Sequence, residues 1–554
     1  KGYGVADVGS GRPISPQTVV RVASLSKLIT TTAVLQLVDR GALDLRQDVN
    51  HYLSSFKIEP AFGQPVTLAE LLTHTGGFDE RYLGTAARRE AEQVPLERYL
   101  ATRMPPRVLP PGEVISYSNH GMALAGYLVQ RVSGVSYEDY VRQRIFQPLG
   151  MRSSAFHLTP DLATRLAAGY AAGQRVPYDY LNDLPAAGLL TTGEDMARFM
   201  TAILQGGRGE TARILSEARV REMLGHQFSH HPRLAGRGYG WFERIESGAR
   251  LLGHEGEIRG FASGMYLLPS QGLGLFVVTN VNTPVLRDAL LKSLLATRLP
   301  PAPPATGRPL ALPVTPLAEV AGTYRGVRYP HSTLDKLALL ANLGAEMRLV
   351  PAGPGALAVL LPSAPPMIVK EVEPGFFQRV GHFDLASGKG LALHRDSRGT
   401  YTFAFIGEFA YERLAWYEPV PVQRTFLAVL TLVFLVAVVV SPWRRRNSRQ
   451  GSSGATSWLE CLVGALNLLL LVGVGLVMAR TDSYEFTYGV PVSIELLLLL
   501  PFLAVPLAVA LPVAAVRSWR ATPAGWKLYD SAIVLAGLLV IPFLLYWKLL
   551  GFQY

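Results

Sequence analysis

The sequence predicts an α+β domain, then a small β-rich domain, then four membrane-spanning helices. Three observations carry this prediction. Residues 1–298 mix helical and strand-like periodicity. A proline-rich linker, Leu299–Pro316, leads into short strand-like pieces separated by turns over 317–418. From Thr425 onward, four long apolar runs fill the region 425–550. Composition agrees: of 554 residues, 49% are hydrophobic and only 17% charged, whereas soluble domains carry nearer a quarter charged residues. Disorder as the main theme is excluded, because disordered chains are poor in apolar residues. A single cysteine, Cys461, excludes an intramolecular disulfide framework and a cysteine-clustered zinc site. No metal or cofactor is expected.

The chain opens on a predicted hairpin: KGYGVADV, a turn at Gly9–Pro13, then TVVRVAS. It shows neither an initiating methionine nor a secretory signal, so further sequence is expected before Lys1. A strand-like run, Val19–Val22, leads to Ser24. Helical spacing follows through Leu28, Ala33, Leu35, Leu37 and Val38 to Gly41, a C-terminal cap. Ser24 thus falls in the first turn of a helix, with Lys27 one turn on and on the same face. A serine hydroxyl attacks only when something takes its proton, and a partly desolvated lysine can do so. Ser54-Ser55-Phe56-Lys57 offers the same spacing. A capping serine beside a surface lysine would also look like this.

A second element is Pro111-Gly112-Glu113-Val114-Ile115-Ser116-Tyr117-Ser118-Asn119, a turn before an apolar helix from Met122 to Val132. A phenol held beside a cation can take a proton and return it to a leaving group. Asparagine has both a donor and an acceptor for a substrate amide. Tyr180-Leu181-Asn182 repeats the spacing. The third element, Gly253-His254-Glu255-Gly256-Glu257, precedes two strand-like runs, Ala262–Leu268 and Leu273–Asn280, that would form a hairpin. A histidine on an edge strand with glycine two residues on leaves room for a substrate backbone alongside. His74-Thr75-Gly76 is the competing candidate.

The order Ser-Lys, Tyr-Asn, His-Gly resembles the serine β-lactamase and penicillin-binding protein superfamily, closest to its class C-like branch of esterases and D-aminopeptidases. Leu71-Leu72-Thr73-His74-Thr75-Gly76-Gly77, Pro148-Leu149-Gly150-Met151 and Gly188-Leu189-Leu190-Thr191-Thr192 match further. The resemblance implies an antiparallel sheet flanked by helices, of β-lactamase/transpeptidase type. It implies that Ser24 is the acylated nucleophile, Lys27 its activator and Tyr117 the general acid/base. Asn119, His254 and Gly256 would bind substrate, and the backbone N–H groups of Ser24 and Glu257 would form the oxyanion hole. The segment from Gly322-Thr323-Tyr324 looks like the lipocalin-like barrel appended to some members. One departure stands out. Penicillin-recognising members have lysine where this chain has His254, which is only partly charged near neutral pH. Weaker recognition of β-lactams and C-terminal carboxylates is therefore expected.

The apolar runs are Thr425–Ser441, Trp458–Met478, Val492–Val516 and Trp526–Leu550. Each can cross a hydrocarbon layer of about 30 Å. Arg444, Arg445, Arg446 and Arg449 follow the first run, and Arg517, Arg520 and Lys527 follow the third. The positive-inside rule puts these loops in the cytoplasm and everything before Thr425 outside it. Much of the net charge of +11 thereby reads as a topology signal, and no nucleic-acid module is visible. Glu460, Asn467 and Glu495 lie in or beside the runs, the two glutamates near helix starts where they could reach the interface.

The expected activity is that of a membrane-anchored serine hydrolase cleaving amides or esters, on D-amino-acid-containing peptides or small esters. Two alternatives stand beside it: penicillin-binding, carboxypeptidase-like or β-lactamase activity, and a non-catalytic receptor or adaptor that uses the hydrolase fold. The expected partners are a small-molecule or peptide substrate and the lipid bilayer.

Overall fold

Four antiparallel strands follow one another in the computed structural model: β1 (Phe242–Glu246), β2 (Ala249–Ile258), β3 (Phe261–Leu268) and β4 (Leu273–Thr279), in the order β4-β3-β2-β1. The structure describes residues 1–300, 308–341, 346–362, 364–381, 388–447 and 453–554. Alternation along the strands splits the side chains between two faces. Leu252, Met265 and Leu267 join the main core, while Leu251, Tyr266 and Leu268 pack against Leu291 of the helix Val285–Arg298. The expected hairpin is thus β3–β4. Strand β1 covers β2 only as far as Gly253, so His254–Ile258 present an edge with no strand of this sheet beyond it.

Helix α1 (Ser26–Asp39) is buried on every side, as an apolar, non-amphipathic sequence requires. Two of its threonine hydroxyls are satisfied inside: Thr32 Oγ1 donates to Leu28 O at 2.8 Å, and Thr30 Oγ1 shares a hydrogen bond of 2.6 Å with the Tyr137 hydroxyl. Gly41 follows with φ of +71°, the left-handed conformation expected of a cap. Helix α2 (Leu68–Thr73) starts on a capping box of Thr67 and Glu70. Helix α3 (Asn119–Ser133) lies against α1 in the core. The opening hairpin differs from expectation. Val5–Asp7 pairs with Arg12–Pro13, whereas Val20–Arg21 pairs with Leu190–Thr191, because Val19, Val20 and Val22 are core residues.

Eight further strands, from Gly322–Gly326 to Phe409–Arg413, close into a barrel in which each pairs with its sequence neighbours. Alternate side chains serve two cores. Tyr324, Val369, Phe377, Leu391, Tyr401 and Ala404 fill the interior. Val372, Phe376, Ala392, Phe405 and Ala410 face outward onto Leu109, Val114 and Leu234 of the α+β domain. Two of these strands, Met367–Glu373 and Phe409–Arg413, were not among the expected pieces. Charges interrupt both: Glu371, opposite Phe377, is buried and accepts from Val314 N and Thr315 N, and Arg413 stands opposite Tyr324. Of the proline-rich linker, residues 301–307 lie outside the described residues.

The chain forms two compact units. The first holds the α+β domain and the barrel; the second gathers 80–85, 329–346 and 414–554. In the second, four helices among the described residues are long and apolar enough to cross a membrane: Val420–Arg446, Ala455–Arg480, Val492–Ser518 and Ala524–Tyr546. This is a multi-pass membrane protein. The first span outgrows its 17-residue apolar run at both ends, and the third is jointed between Leu497 and Leu500. Glu460 does not reach outward as its position near a helix start suggested. It is fully buried and accepts a hydrogen bond from Ser441 at 3.1 Å. Arg449 lies outside the described residues.

Candidate active site

The strand Val20–Arg21 is fixed from both sides before it reaches Ser24. Val22 N donates to Leu189 O at 3.2 Å, and buried Arg21 pairs with Asp179 at 3.2 Å. Ala23 then takes φ of +48°, a left-handed conformation that costs a non-glycine residue about 1–2 kcal/mol. Surrounding bonds hold it: Ser26 Oγ donates to Ala23 O at 2.6 Å and accepts from Leu189 N at 2.9 Å. The turn leaves Ser24 partly exposed among buried neighbours, in the middle of a short 3-10 turn (Ala23–Leu25) that runs into α1.

Lys27, one turn on, is wholly buried. Its Nζ donates to Ser24 Oγ at 3.0 Å, to Asn119 Oδ1 at 2.8 Å and to Ala186 O at 2.9 Å. The Tyr117 ring lies 4.7 Å from this Nζ. Burial above all lowers the Lys27 ammonium from its ordinary value, and nearby Arg328 adds to this, while Tyr117 and Asp183 oppose it. Residues 92 positions apart along the chain thus share one hydrogen-bonded array.

The loop carrying Tyr117 is hung on His74. Ser116 N donates to His74 O at 2.8 Å, and Ser118 N donates to His74 Nδ1 at 3.2 Å. That bond makes Nδ1 the acceptor and leaves the proton on Nε2. The His74 ring sits 4.3 Å from the Tyr117 ring, and the His254 ring 6.0 Å from its other neighbourhood. His254 Nδ1 lies 2.7 Å from Glu255 O, so Nδ1 carries the proton and Nε2 is an acceptor. Both histidines are held well below their ordinary value. Burial is the main cause for each; Arg237 and Lys27 add to it for His74, and Lys27 and Arg237 for His254. His254 is therefore neutral, not partly charged as the sequence suggested.

Gly256 brings β2 against the serine turn. A Cβ there would collide with Val22 O and come within 3.1 Å of Ser24 N. Ser263 Oγ, from the neighbouring strand, donates to Val22 O at 2.8 Å. Glu257, next along the uncovered edge, is exposed.

Two arginines join the site that the sequence motifs did not flag. Arg237 is buried, with its guanidinium carbon 5.8 Å from the Tyr117 ring. It pairs with Glu408 of a barrel turn at 2.6 Å, and its Nε and Nη1 have no hydrogen-bond partner among the described residues. Arg328, at the end of the first barrel strand's extension and exposed, lies 4.6 Å over the same ring.

The beta-lactamase family profile matches residues 1–298, more than half of the chain. The chain belongs to the beta-lactamase family. Among curated relatives, penicillin-binding protein 4 of Amycolatopsis lactamdurans is 31% identical over 343 residues, covering 58% of this chain and 88% of that protein. The D-alanyl-D-alanine-carboxypeptidase/endopeptidase AmpH of Escherichia coli K12 is 28% identical over 284 residues, covering 48% and 73%. Among solved structures, SurE aligns with a TM-score of 0.53 at 23% identity, covering 74% of this chain and 91% of SurE; this shows the shared fold.

The competing sequence patterns fall elsewhere in this family member. Lys57 is spent on the carbonyls of Asn50 and Leu53, and Asn182 Oδ1 accepts from Val94 N at 2.8 Å. His74, by contrast, belongs to the site. The stretch Leu71–Gly77 signalled it, but its reading as a rival to His254 hid its part as the support of Tyr117. No sequence signal marked Arg237, held by backbone bonds to Phe228 and paired with Glu408 of the barrel, or Arg328.

Proposed function

We propose that the protein is a membrane-anchored serine acyl hydrolase that works through an acyl-enzyme on Ser24. The observation that carries this reading is the array in which one buried Nζ touches Ser24 Oγ and Asn119 Oδ1 beneath the Tyr117 ring. Burial of Lys27 favours its neutral amine, which would reverse the contact with Ser24 and accept the hydroxyl proton as Oγ attacks. Tyr117 then passes its proton to the leaving group and later recovers one from the attacking water, while Lys27 returns its proton to Ser24 Oγ as the acyl bond breaks. Asn119, its Oδ1 held by Lys27, keeps Nδ2 to donate to a substrate carbonyl. The N–H groups of Ser24 and Glu257 receive the oxyanion, each worth roughly 3 kcal/mol in the transition state.

Arg237 and Arg328 refine the substrate. The sequence argued against carboxylate recognition because His254 stands where relatives carry lysine. Two guanidinium groups beside Tyr117 supply the positive charge instead, and buried Arg237 has donors to spare. Peptides with a terminal carboxylate, D-amino-acid-containing ones first, fit this better than neutral esters. The same observation favours the second reading, a penicillin-binding or carboxypeptidase-like protein. The barrel has the up-and-down order of lipocalin-like domains. Its interior is filled by Tyr324, Phe377 and Tyr401, so its part is to shape the mouth of the site. The basic loops orient the spans so that the hydrolase lies outside the cytoplasm.

Ser24→Ala is expected to abolish labelling by a fluorophosphonate probe; labelling that persists would remove Ser24 from the role. Purified protein screened against D-aminoacyl amides, short-chain nitrophenyl esters and nitrocefin would identify the substrate class. Stable labelling by a fluorescent penicillin would favour the second reading.

A further inference from the structure

Three of the four spans converge on a polar cluster sealed inside the helical bundle. The first span contributes Ser441 and Arg444, the second Glu460, and the fourth Trp526, Tyr529 and Asp530. All lie towards the end of the bundle that carries the basic connections. Ser441, Glu460 and Asp530 are each at most 1% exposed, so lipid and water are both shut out. Arg444 grips Asp530 with both terminal nitrogens, Nη2 lying 3.3 Å from Oδ2. The Trp526 ring covers the guanidinium at 5.0 Å.

Glu460 is served less well. Its Oε2 accepts from the Ser441 hydroxyl at 3.1 Å and stands 3.9 Å from Arg444 Nη1. Ser441 in turn meets the Tyr529 hydroxyl at 2.6 Å. Oε1 is buried and meets no donor among the described residues. What Glu460 does face is the Asp530 carboxyl group, because both carboxyls stand against the same Arg444 Nη1. From the third span, Ser518 contacts Thr456 of the second at 3.2 Å. Two ionised carboxylates can only accept, so they cannot bond each other. Together with one guanidinium they would also leave a net negative charge in a medium that penalises it heavily.

One proton resolves both problems. It supplies the missing donor and makes the cluster electrically neutral. We propose that Glu460 and Asp530 form a carboxyl pair that binds a single exchangeable proton inside the bundle, with Glu460 its carrier and Arg444 holding Asp530 as the ionised partner. Release sends the proton from Glu460 to water and leaves two facing carboxylates on one guanidinium. The second span must then draw away from the fourth, or the cluster must admit water or a cation. The bundle is a proton-responsive element as well as an anchor.

The test uses the full chain in lipid nanodiscs. Infrared difference spectra between neutral and alkaline buffer are expected to show a protonated-carboxyl C=O band that disappears on raising the pH and is missing in Glu460→Gln. Thermal unfolding supplies a second readout. A proton held by the packed bundle and released on unfolding weakens the packing equilibrium tenfold per pH unit as pH rises through that window. Glu460→Gln, neutral and of the same shape, removes this decline. A wild-type protein with no such band, and with the same pH dependence as the amide variant, would overturn the proposal and leave a fixed ion network. Should that variant not assemble, Asp530→Asn leaves one carboxyl opposite one guanidinium, and it too is expected to lose the band.

Discussion

Lys27 is the residue on which the proposed chemistry turns. All three of its ammonium protons are engaged, on Ser24, Asn119 and Ala186, so the charged form is well held but cannot accept. Burial pulls in the other direction and lowers its ordinary value. The amine form therefore becomes accessible at lower pH than for a lysine in water. The rate of fluorophosphonate acylation is expected to rise with pH through an apparent pKa below that of free lysine. Lys27→Arg keeps the charge but cannot lose its proton, so it should flatten the rising limb and slow acylation by roughly 10³-fold or more. An unchanged limb in that variant would assign the base to another group. Arg237 makes a separate prediction. Arg237→Ala should raise KM for carboxylate-bearing substrates about tenfold or more while leaving that for neutral esters nearly unchanged, as expected when one charge-assisted hydrogen bond is lost.

At the scale of elements, the serine turn and strand β2 depend on each other through Gly256. A methyl group there meets Val22 O and approaches Ser24 N, so the strand would have to retreat with Glu257 on it. Gly256→Ala is expected to cut kcat by about 10²–10³-fold, the size of losing one oxyanion donor, with a smaller loss of thermal stability; calorimetry and ester kinetics on one preparation separate the two. This dependence also explains what the sequence could reveal. Ser24, Lys27, Tyr117 and Asn119 were legible because each sits on a short motif at the start of a helix, where local spacing fixes the geometry. The hairpin β3–β4 and the four spans were legible for the same reason, as periodicity is a local property. Arg237 and Arg328 were not. Arg328 reaches Tyr117 from the barrel and Arg237 from the α+β domain, where it pairs with Glu408 of the barrel, a long-range match with no local signature. The opening hairpin misled because the strand-like run Val19–Val22 is claimed by the core and pairs with Leu190–Thr191 instead.

In three histidines of the first unit, His74, His230 and His254, burial holds the imidazole below its ordinary value. His74 and His254 flank Tyr117 and are held well below their ordinary value. His230 lies between the α+β domain and the barrel, accepting from Ile115 N at 2.9 Å and stacked 4.1 Å from Phe405; burial pushes it down to about 4. In the unfolded chain each imidazole takes up a proton below about 6.5, whereas the folded chain keeps it neutral. The unfolded state therefore binds more protons as pH falls, so stability is full above pH 6.5 and declines below it. Each histidine contributes a loss of roughly 1.4 kcal/mol per pH unit, continuing for His230 down to about pH 4. Unfolding of the detergent-solubilised protein followed from pH 7.5 to 5 should show this decline, and proton uptake should accompany it. His230→Asn, which cannot titrate, is expected to cost stability at neutral pH through lost stacking on Phe405, yet to fall less steeply on acidification by one proton's worth. If the variant and wild type decline in parallel, His230 is already charged in the folded protein, and the seam between barrel and hydrolase is held by something other than a neutral imidazole.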